Sequence, residues 1–452
     1  MSSQSIPDKA ENNHSPEPGG WRFALRALRS HNYRLFFGGQ SISLIGTWMT
    51  RLATSWLVYR LTGSAYLLGL VGFAGQVPTF LFGPFAGVWI DRLERRRVLI
   101  VTQVLSMIQS FWLAMLVLWG HITFAEILWL SVFQGVVNAF DMPARQAFLT
   151  QMVANREDLP NAIALNSSMV NGSRLIGPSL AGIVIAMYGE GYCFLIDGIS
   201  YIAVIVSLFM MTVTVRQVAR KRESAIVDLR EGWQYVSRFQ PVRAILLLLA
   251  LVSLVGMPYT VLMPIFATKI LHGGPHTLGF LMGASGIGAL ASAVWLATRR
   301  SVLGLGKVMP MMSAMFGAGL IVFSLSRWPT LSLILMLFTG FGMMQQMAAS
   351  NTILQTIVDE NMRGRVMSYY SMAFAGTAPF GSLAAGYIAD RIGAPATLII
   401  GGSACIVGGA WFATQLGQIR QQIRPIYSRL GILPEMAAGI ETATVLQDTV
   451  ER

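Results

Sequence analysis

Long apolar segments recur along this chain, and they constrain its fold more than any other feature. Each is about 20 residues or longer, the length that a helix needs to cross the roughly 30 Å hydrocarbon core of a bilayer. In lipid such a segment must satisfy its own backbone hydrogen bonds, which a helix does. The sequence therefore predicts an all-α membrane protein with twelve transmembrane helices. The predicted spans are 35–59, 65–90, 98–119, 124–148, 164–187, 192–215, 242–268, 278–298, 308–325, 330–352, 366–389 and 396–416.

Charge is scarce and unevenly placed. Charged residues make up 12% of the chain, against about 25% in soluble domains. A net charge of +12 would suit nucleic-acid binding, but nearly all the basic residues lie in loops and tails, where they report membrane orientation instead. We therefore expect a multi-pass protein of a bacterial inner membrane with both termini in the cytoplasm, surrounded by lipid bilayer and without a nucleic-acid partner.

The residues that carry catalysis or bind metals do not cluster. Cys193 and Cys405 are isolated within predicted helices, and all five histidines fall in tails or loops. No nucleotide-binding Gly-x-x-x-x-Gly-Lys-Ser/Thr string is present. We accordingly expect no enzyme, no metal site, no cofactor and no ATP drive within this chain, which we expect to act as a monomer.

The chain repeats itself. Matches at constant offsets include Gln151 with Gln355, Gly177 with Gly381, Gly182 with Gly386, and Gly69 with Gly279. Internal repeats of this kind mark the two bundles of a transporter. The sequence therefore predicts two pseudo-symmetric six-helix bundles, 31–215 and 242–416. A cytoplasmic linker, 216–241, contains an amphipathic helix; a disordered basic segment, 1–30, and a cytoplasmic tail, 417–452, complete the chain.

A basic loop motif follows the second predicted span. Gly87, Asp91, Arg92, Arg95 and Arg96 stand at the spacing of the loop motif of the major facilitator superfamily, which this stretch resembles. Trp89 and Glu94 depart from the family pattern, and we expect Glu94 to form an ion pair with the arginines. The resemblance implies a gating role, in which the Asp91 carboxylate and the arginines hold the two bundles together. A second such string, Gly386–Gly393, is predicted on the outer face and receives no gating role.

The fifth predicted span contains Ser173, Gly177, Pro178 and Gly182. It resembles the antiporter motif Gly-x-x-x-Gly-Pro-x-x-Gly-Gly, with Ser173 and Ala181 in place of two glycines. Small residues at this period let a neighbouring helix approach closely. The family associates the motif with export; ordinary helix packing is the alternative.

Among the ionisable residues inside predicted spans, four stand out: Arg51, Asp141, Arg174 and Asp197. Buried charge is costly in a membrane, so these are candidates for a substrate or proton cavity, together with Gln345 and Gln346. The arginines suit an anionic substrate and Asp141 suits a proton carrier. Structural pairing is the alternative for each, and Asp197 has the further alternative of a position near the headgroups.

The whole chain resembles the branch of the superfamily that contains the enterobactin exporter, the transmembrane secretion effectors. The resemblance rests on the strings 32–40, 46–49, 56–64, 158–166 and 363–367. It implies a secondary active exporter of a small organic molecule (a siderophore, drug or metabolite) that works by alternating access, with protons as the coupling ion. An importer or symporter on the same fold, and a non-transporting membrane sensor, are the alternatives.

Overall fold

The computed structural model describes residues 25–90, 92–153, 155–212, 225–299 and 301–432. Asp91 of the loop motif lies outside the described residues, as do most of the predicted N-terminal segment and the end of the tail. Within the described part, ten helices are long and apolar enough to cross a bilayer. The chain is an all-α membrane protein, as the sequence predicts.

Six helices form the N-terminal half. Their ends follow local signals: a capping box between Thr123 and Glu126 begins the fourth helix, and Gly63, with a φ of 62°, ends the first. The helices are α1 (His31–Thr62), α2 (Ala65–Ile90), α3 (Arg95–Leu118), α4 (Phe124–Met152), α5 (Leu159–Tyr188) and α6 (Glu190–Met210).

The C-terminal half has the same plan and is preceded by a short surface helix. Its eleventh span is divided into two helices by a π-helical turn, Met372–Gly376, and π-helical turns also interrupt the seventh span. The helices are α7 (Ala225–Arg238), α8 (Gln240–Ile270), α9 (Pro275–Thr298), α10 (Leu305–Leu325), α11 (Pro329–Ile357), α12 (Glu360–Ser371), α13 (Ala378–Ile392) and α14 (Ala394–Arg429).

Two of the twelve positions fall outside the ten strongly apolar helices for evident reasons. The first helix, α1, contains Arg34, Arg51 and Arg60 among many small polar residues, and the eleventh span is split between α12 and α13. The last helix, α14, continues past the end of the predicted span to Arg429, so the first part of the predicted tail is helical.

The two halves meet along two helix pairs, α2 with α13 and α5 with α9. Each pair crosses at two glycines. A Cβ added at Gly69 would lie 3.0 Å from the Cα of Gly386, and one added at Gly279 would lie 2.8 Å from the Cα of Gly182. The sequence repeat matches these same glycines, so the two crossings are related by the pseudo-symmetry of the halves. At both crossings the absence of side chains lets the two backbones approach closely.

The halves are joined at one end of the bundle and separate at the other. Beyond the glycine crossings, Ser64 at the start of α2 donates a hydrogen bond of 3.2 Å to Asp390 near the end of α13. Toward the opposite end of α2, Gly83 and Gly87 have nothing within 4 Å of an added Cβ, and Trp89 is 60% exposed. We call the end with Gly63, Gly189 and Gly393 the closed face and the end with residues 25–30 the open face.

Gly177 shows how tightly α1 and α5 pack. A Cβ there would lie 2.5 Å from the Cβ of Trp48 and 2.9 Å from the carbonyl oxygen of Ile45. We expect Gly177→Leu to lower the free energy of unfolding by about 1–3 kcal/mol or more, the usual cost of overpacking. Thermal melting of the purified protein in detergent measures this.

The matched control for that variant is Gly172→Leu, on the same helix, where an added Cβ meets nothing within 4 Å. Gly191, which the sequence places in a loop, is unsuitable as a control because it lies inside α6 and an added Cβ would be 2.7 Å from Leu118. Equal melting temperatures for the two leucine variants would contradict the close packing.

Candidate functional site

Polar side chains of α1 and α5 face the space between the two halves. On α5 the apolar residues Ile176, Leu180 and Ile183 are exposed at helical spacing, which identifies the side that faces lipid. Arg174 projects from the other side, and its backbone oxygen lies 3.3 Å from a Cβ added at Gly286 of α9. Arg174 therefore lies at mid-length of α5, on the side of the helix opposite its exposed apolar residues.

Arg51 and Arg174 converge on one aromatic ring. The guanidinium carbon of Arg51 is 4.7 Å from the centre of the Trp48 ring, and that of Arg174 is 5.7 Å from it. Such contacts are cation–π interactions. Trp48 is fixed in this position because Gly177 leaves room for its Cβ. The structure therefore brings together two residues that the sequence offers only as separate candidates, and adds Trp48, which the sequence alone does not single out.

Neither guanidinium has a carboxylate partner among the described residues. Both carbons lie within 6 Å of one ring, so the two charges are no more than about 10 Å apart. At that distance two like charges repel by about 1–2 kcal/mol at an effective dielectric constant of about 20. The cation–π contacts offset part of this cost, about 0.5–2 kcal/mol each. Among the described residues, no ion pair neutralises these two positive charges.

Asp197 lies deep inside the N-terminal half and is 1% exposed. Its Oδ2 accepts hydrogen bonds from Thr50 of α1, at 2.8 Å, and from Ser110 of α3, at 2.9 Å. Its Oδ1 has no hydrogen-bond partner among the described residues. The carboxyl group is enclosed between three helices, and the alternative of a position near the headgroups stays a prediction. Thr50 immediately precedes Arg51 in α1. The carboxyl group of Asp197 is therefore bound by a sequence neighbour of the site formed by Arg51, Trp48 and Arg174, which we call the cationic site.

Asp141 is the centre of a second polar cluster, nearer the open face. It accepts hydrogen bonds from Thr102, at 3.0 Å, and Gln103, at 2.7 Å, and forms an ion pair with Arg145 one turn further along α4. Burial of a paired charge is tolerated where additional hydrogen bonds satisfy it. These contacts give Asp141 a structural role within the N-terminal half, and its role as a proton carrier stays a prediction.

Gln345 and Gln346 are buried inside the C-terminal half. Gln345 accepts a hydrogen bond of 2.8 Å from Ser292 of α9, and Gln346 lies 3.4 Å from the hydroxyl of Ser350 on its own helix. Both are at most 1% exposed. The described contacts hold α9 against α11 and do not bring these amides to the cationic site, so their cavity role stays a prediction.

Two arginines of the loop motif have described contacts with other helices of the N-terminal half. Arg96 donates to the backbone oxygens of Leu208, at 2.8 Å, and Phe209, at 3.0 Å, where a cation stabilises the end of α6. Arg95 donates to the backbone oxygen of Ala147. The ion pair expected for Glu94 forms with Arg97. Asp91 lies outside the described residues, and the gating role of the motif stays a prediction.

Membrane-spanning helices in two halves, which cross each other at repeat-matched glycines, have the architecture of a transporter of the major facilitator superfamily. The family of transmembrane secretion effectors matches residues 23–424. The chain belongs to this family, and the sequence strings indicate the same family. The family and the relatives below are transporters, not enzymes.

Two characterised relatives illustrate the family. The staphyloferrin A transporter of Staphylococcus aureus is 25% identical over 82% of this chain and 93% of its own length. The multidrug efflux pump Tap of Mycolicibacterium fortuitum is 28% identical over 78% of this chain and 88% of its own length. Among solved structures, a bacterial homologue of the iron transporter ferroportin in an inward-facing state has a TM-score of 0.66 and 16% identity, covering 85% of this chain and 98% of the other. That likeness shows the fold.

Proposed function

We propose that this protein is a secondary active exporter that carries a small organic molecule out of the cell by alternating access. The observation that carries the proposal is the arrangement between the two halves: two guanidinium groups meet at Trp48 without a carboxylate partner among the described residues, and the glycine crossings join the halves at one face. A cavity that opens to one side at a time is what alternating access requires.

The distribution of basic residues supports an open face in the cytoplasm. Loops and helix ends at that face contain Arg26, Arg29, Arg92 and the run from Arg95 to Arg97, whereas those at the closed face contain Arg60, Lys269, Arg327 and Arg391. An excess of arginine and lysine marks the cytoplasmic side. On this orientation both termini are cytoplasmic and the cavity loads from the cytoplasm, as an exporter requires.

Export and proton coupling have separate support. The antiporter-like string lies on α5, where Gly177 positions Trp48 and Gly182 forms a crossing with α9. Both named relatives are described as a transporter or an efflux pump. Asp197 is the buried carboxyl group beside the cationic site, so it is our candidate for the proton carrier that opposes substrate movement.

Everted and right-side-out membrane vesicles test the direction of transport. A panel of labelled organic acids and drugs is offered to vesicles that contain the protein and to vesicles that lack it. We expect accumulation in everted vesicles that collapses with nigericin, which removes the pH gradient, and that does not need ATP. Accumulation only in right-side-out vesicles would identify an importer, and no protein-dependent movement of any compound would favour a sensor.

A further inference from the structure

We infer that the cationic site formed by Arg51, Trp48 and Arg174 selects an organic dianion, a molecule with two acidic groups near one end and an uncharged body. This inference rests on the proposed function and names the substrate class of the same cavity. It excludes cationic drugs as the main cargo, because two guanidinium groups in a low-dielectric cavity repel a third positive charge.

The first step is the number of charges. Each guanidinium is a planar fork that can hold one carboxylate or phosphate with two parallel hydrogen bonds. The two forks stand on different helices, α1 and α5, and both approach the Trp48 ring. One acidic group would neutralise one guanidinium group and leave the other unpaired, whereas two acidic groups on one molecule would neutralise both. The absence of any carboxylate partner for either arginine in the described part of the chain leaves both forks available.

The second step is the position of the charges. By the offsets of the repeat, Arg51 corresponds to Val261 and Arg174 to Ala378, so the C-terminal half lacks the two cations. Its spans contain no aspartate, glutamate, lysine or arginine within 244–268, 277–298, 308–326, 328–358 or 366–389. A ligand between the halves therefore meets both charges on one side and an uncharged surface on the other. The asymmetry predicts an amphiphilic dianion with its acidic groups turned toward α1 and α5.

Binding to the purified protein in detergent tests this without any transport step. The probes are the straight-chain dicarboxylates succinate, adipate and suberate, and hexanoate as the monocarboxylate that matches adipate in length. A ligand that binds the folded state raises the melting temperature according to its concentration relative to its dissociation constant. We expect at least one dicarboxylate to raise the melting temperature at a concentration at least tenfold below that at which hexanoate does so.

The variants Arg51→Gln and Arg174→Gln should each weaken dicarboxylate binding by tenfold or more and bring it close to that of hexanoate. Arg391→Gln is the matched control, because Arg391 also stacks on an aromatic ring, at 4.2 Å from the centre of Tyr387, but near the end of α13 at the closed face. The melting temperatures without ligand show whether each variant is folded. If hexanoate binds as tightly as all three dicarboxylates, or if dicarboxylate binding is undiminished in both arginine variants, the inference is overturned.

The outcome is separable from that of the vesicle experiment. If dicarboxylates bind through both arginines and no compound moves in vesicles, the dianion site stands and the transport function fails. If a cationic drug moves in vesicles and dicarboxylates fail to bind, the transport function stands and the dianion site is wrong.

Discussion

Gly386→Leu is expected to reduce transport to less than a tenth of the parental rate, because the closed face can no longer close. A Cβ at this position would lie 2.6 Å from the backbone oxygen of Ala65 and 2.9 Å from the Cα of Gly69. Neither contact is with a side chain that can rotate away, so the two halves must separate at this end. The assay is gradient-driven accumulation in everted vesicles.

The same variant has a signature that needs no substrate. Backbone amides near the start of α2 should exchange hydrogen faster than in the parent, since exchange reports local opening. The repeat supplies an independent copy of the test: Gly182→Leu, with a Cβ 2.8 Å from the backbone oxygen of Pro275, should behave alike. Gly364→Leu, on α12 with nothing within 4 Å, is the control. Parental transport by both crossing variants would show that the crossings do not gate.

Much of the closed face was predictable from the sequence, because the helix crossings require glycine and the repeat places glycine at matching positions in both halves. Gly182 and Gly386 stand out as matched glycines in apolar surroundings, and close backbone approach is what such glycines permit. The sequence does not say which glycines pair. Gly69 meets Gly386 and Gly279 meets Gly182 because each crossing joins helices of different halves.

The cationic site was predictable in part. Arg51 and Arg174 are visible as charges inside apolar segments, but they are far apart in the chain and nothing in the sequence brings them to one ring. The role of Trp48 depends on a single missing side chain, at Gly177, which fixes the ring between them. The pair Asp141 and Arg145 was easier to foresee, since residues four apart on a helix are neighbours.

The second loop-like string, Gly386–Gly393, was given no gating role, and the structure shows what its residues contact. Asp390 accepts a hydrogen bond from Ser64, which immediately precedes α2, so a carboxylate of one half lies at the positive end of a helix of the other. The stretch thus contributes a glycine crossing and a polar contact to the same closed face. A pattern match alone could not reveal this, because Ser64 and Asp390 are far apart in the chain.

The second large effect is expected on replacing the buried residue Asp197. We expect Asp197→Asn to keep the fold, because the amide oxygen can still accept hydrogen bonds from Thr50 and Ser110. It cannot take up and release a proton. If Asp197 is the proton carrier, accumulation in everted vesicles should fall at least tenfold and cease to respond to an imposed pH gradient.

The surroundings of Asp197 decide how that result is interpreted. The groups that face it are Thr50, next to Arg51, from α1, Ser110 and Gln109 from α3, and Tyr201 and Cys193 on its own helix, with Glu190 further along that helix and paired with Arg60. Asp197 has no arginine partner in the described contacts, so its replacement leaves no arginine without an ion-pair partner. A change in the response to a pH gradient would therefore be caused by the loss of the carboxyl group itself. Substrate exchange without a gradient should persist in the asparagine variant, because the two arginines are untouched. If the asparagine variant still concentrates substrate in response to a pH gradient, Asp197 is not the coupling residue. If the variant melts normally but loses both gradient-driven accumulation and exchange, the carboxyl group is needed for substrate movement itself.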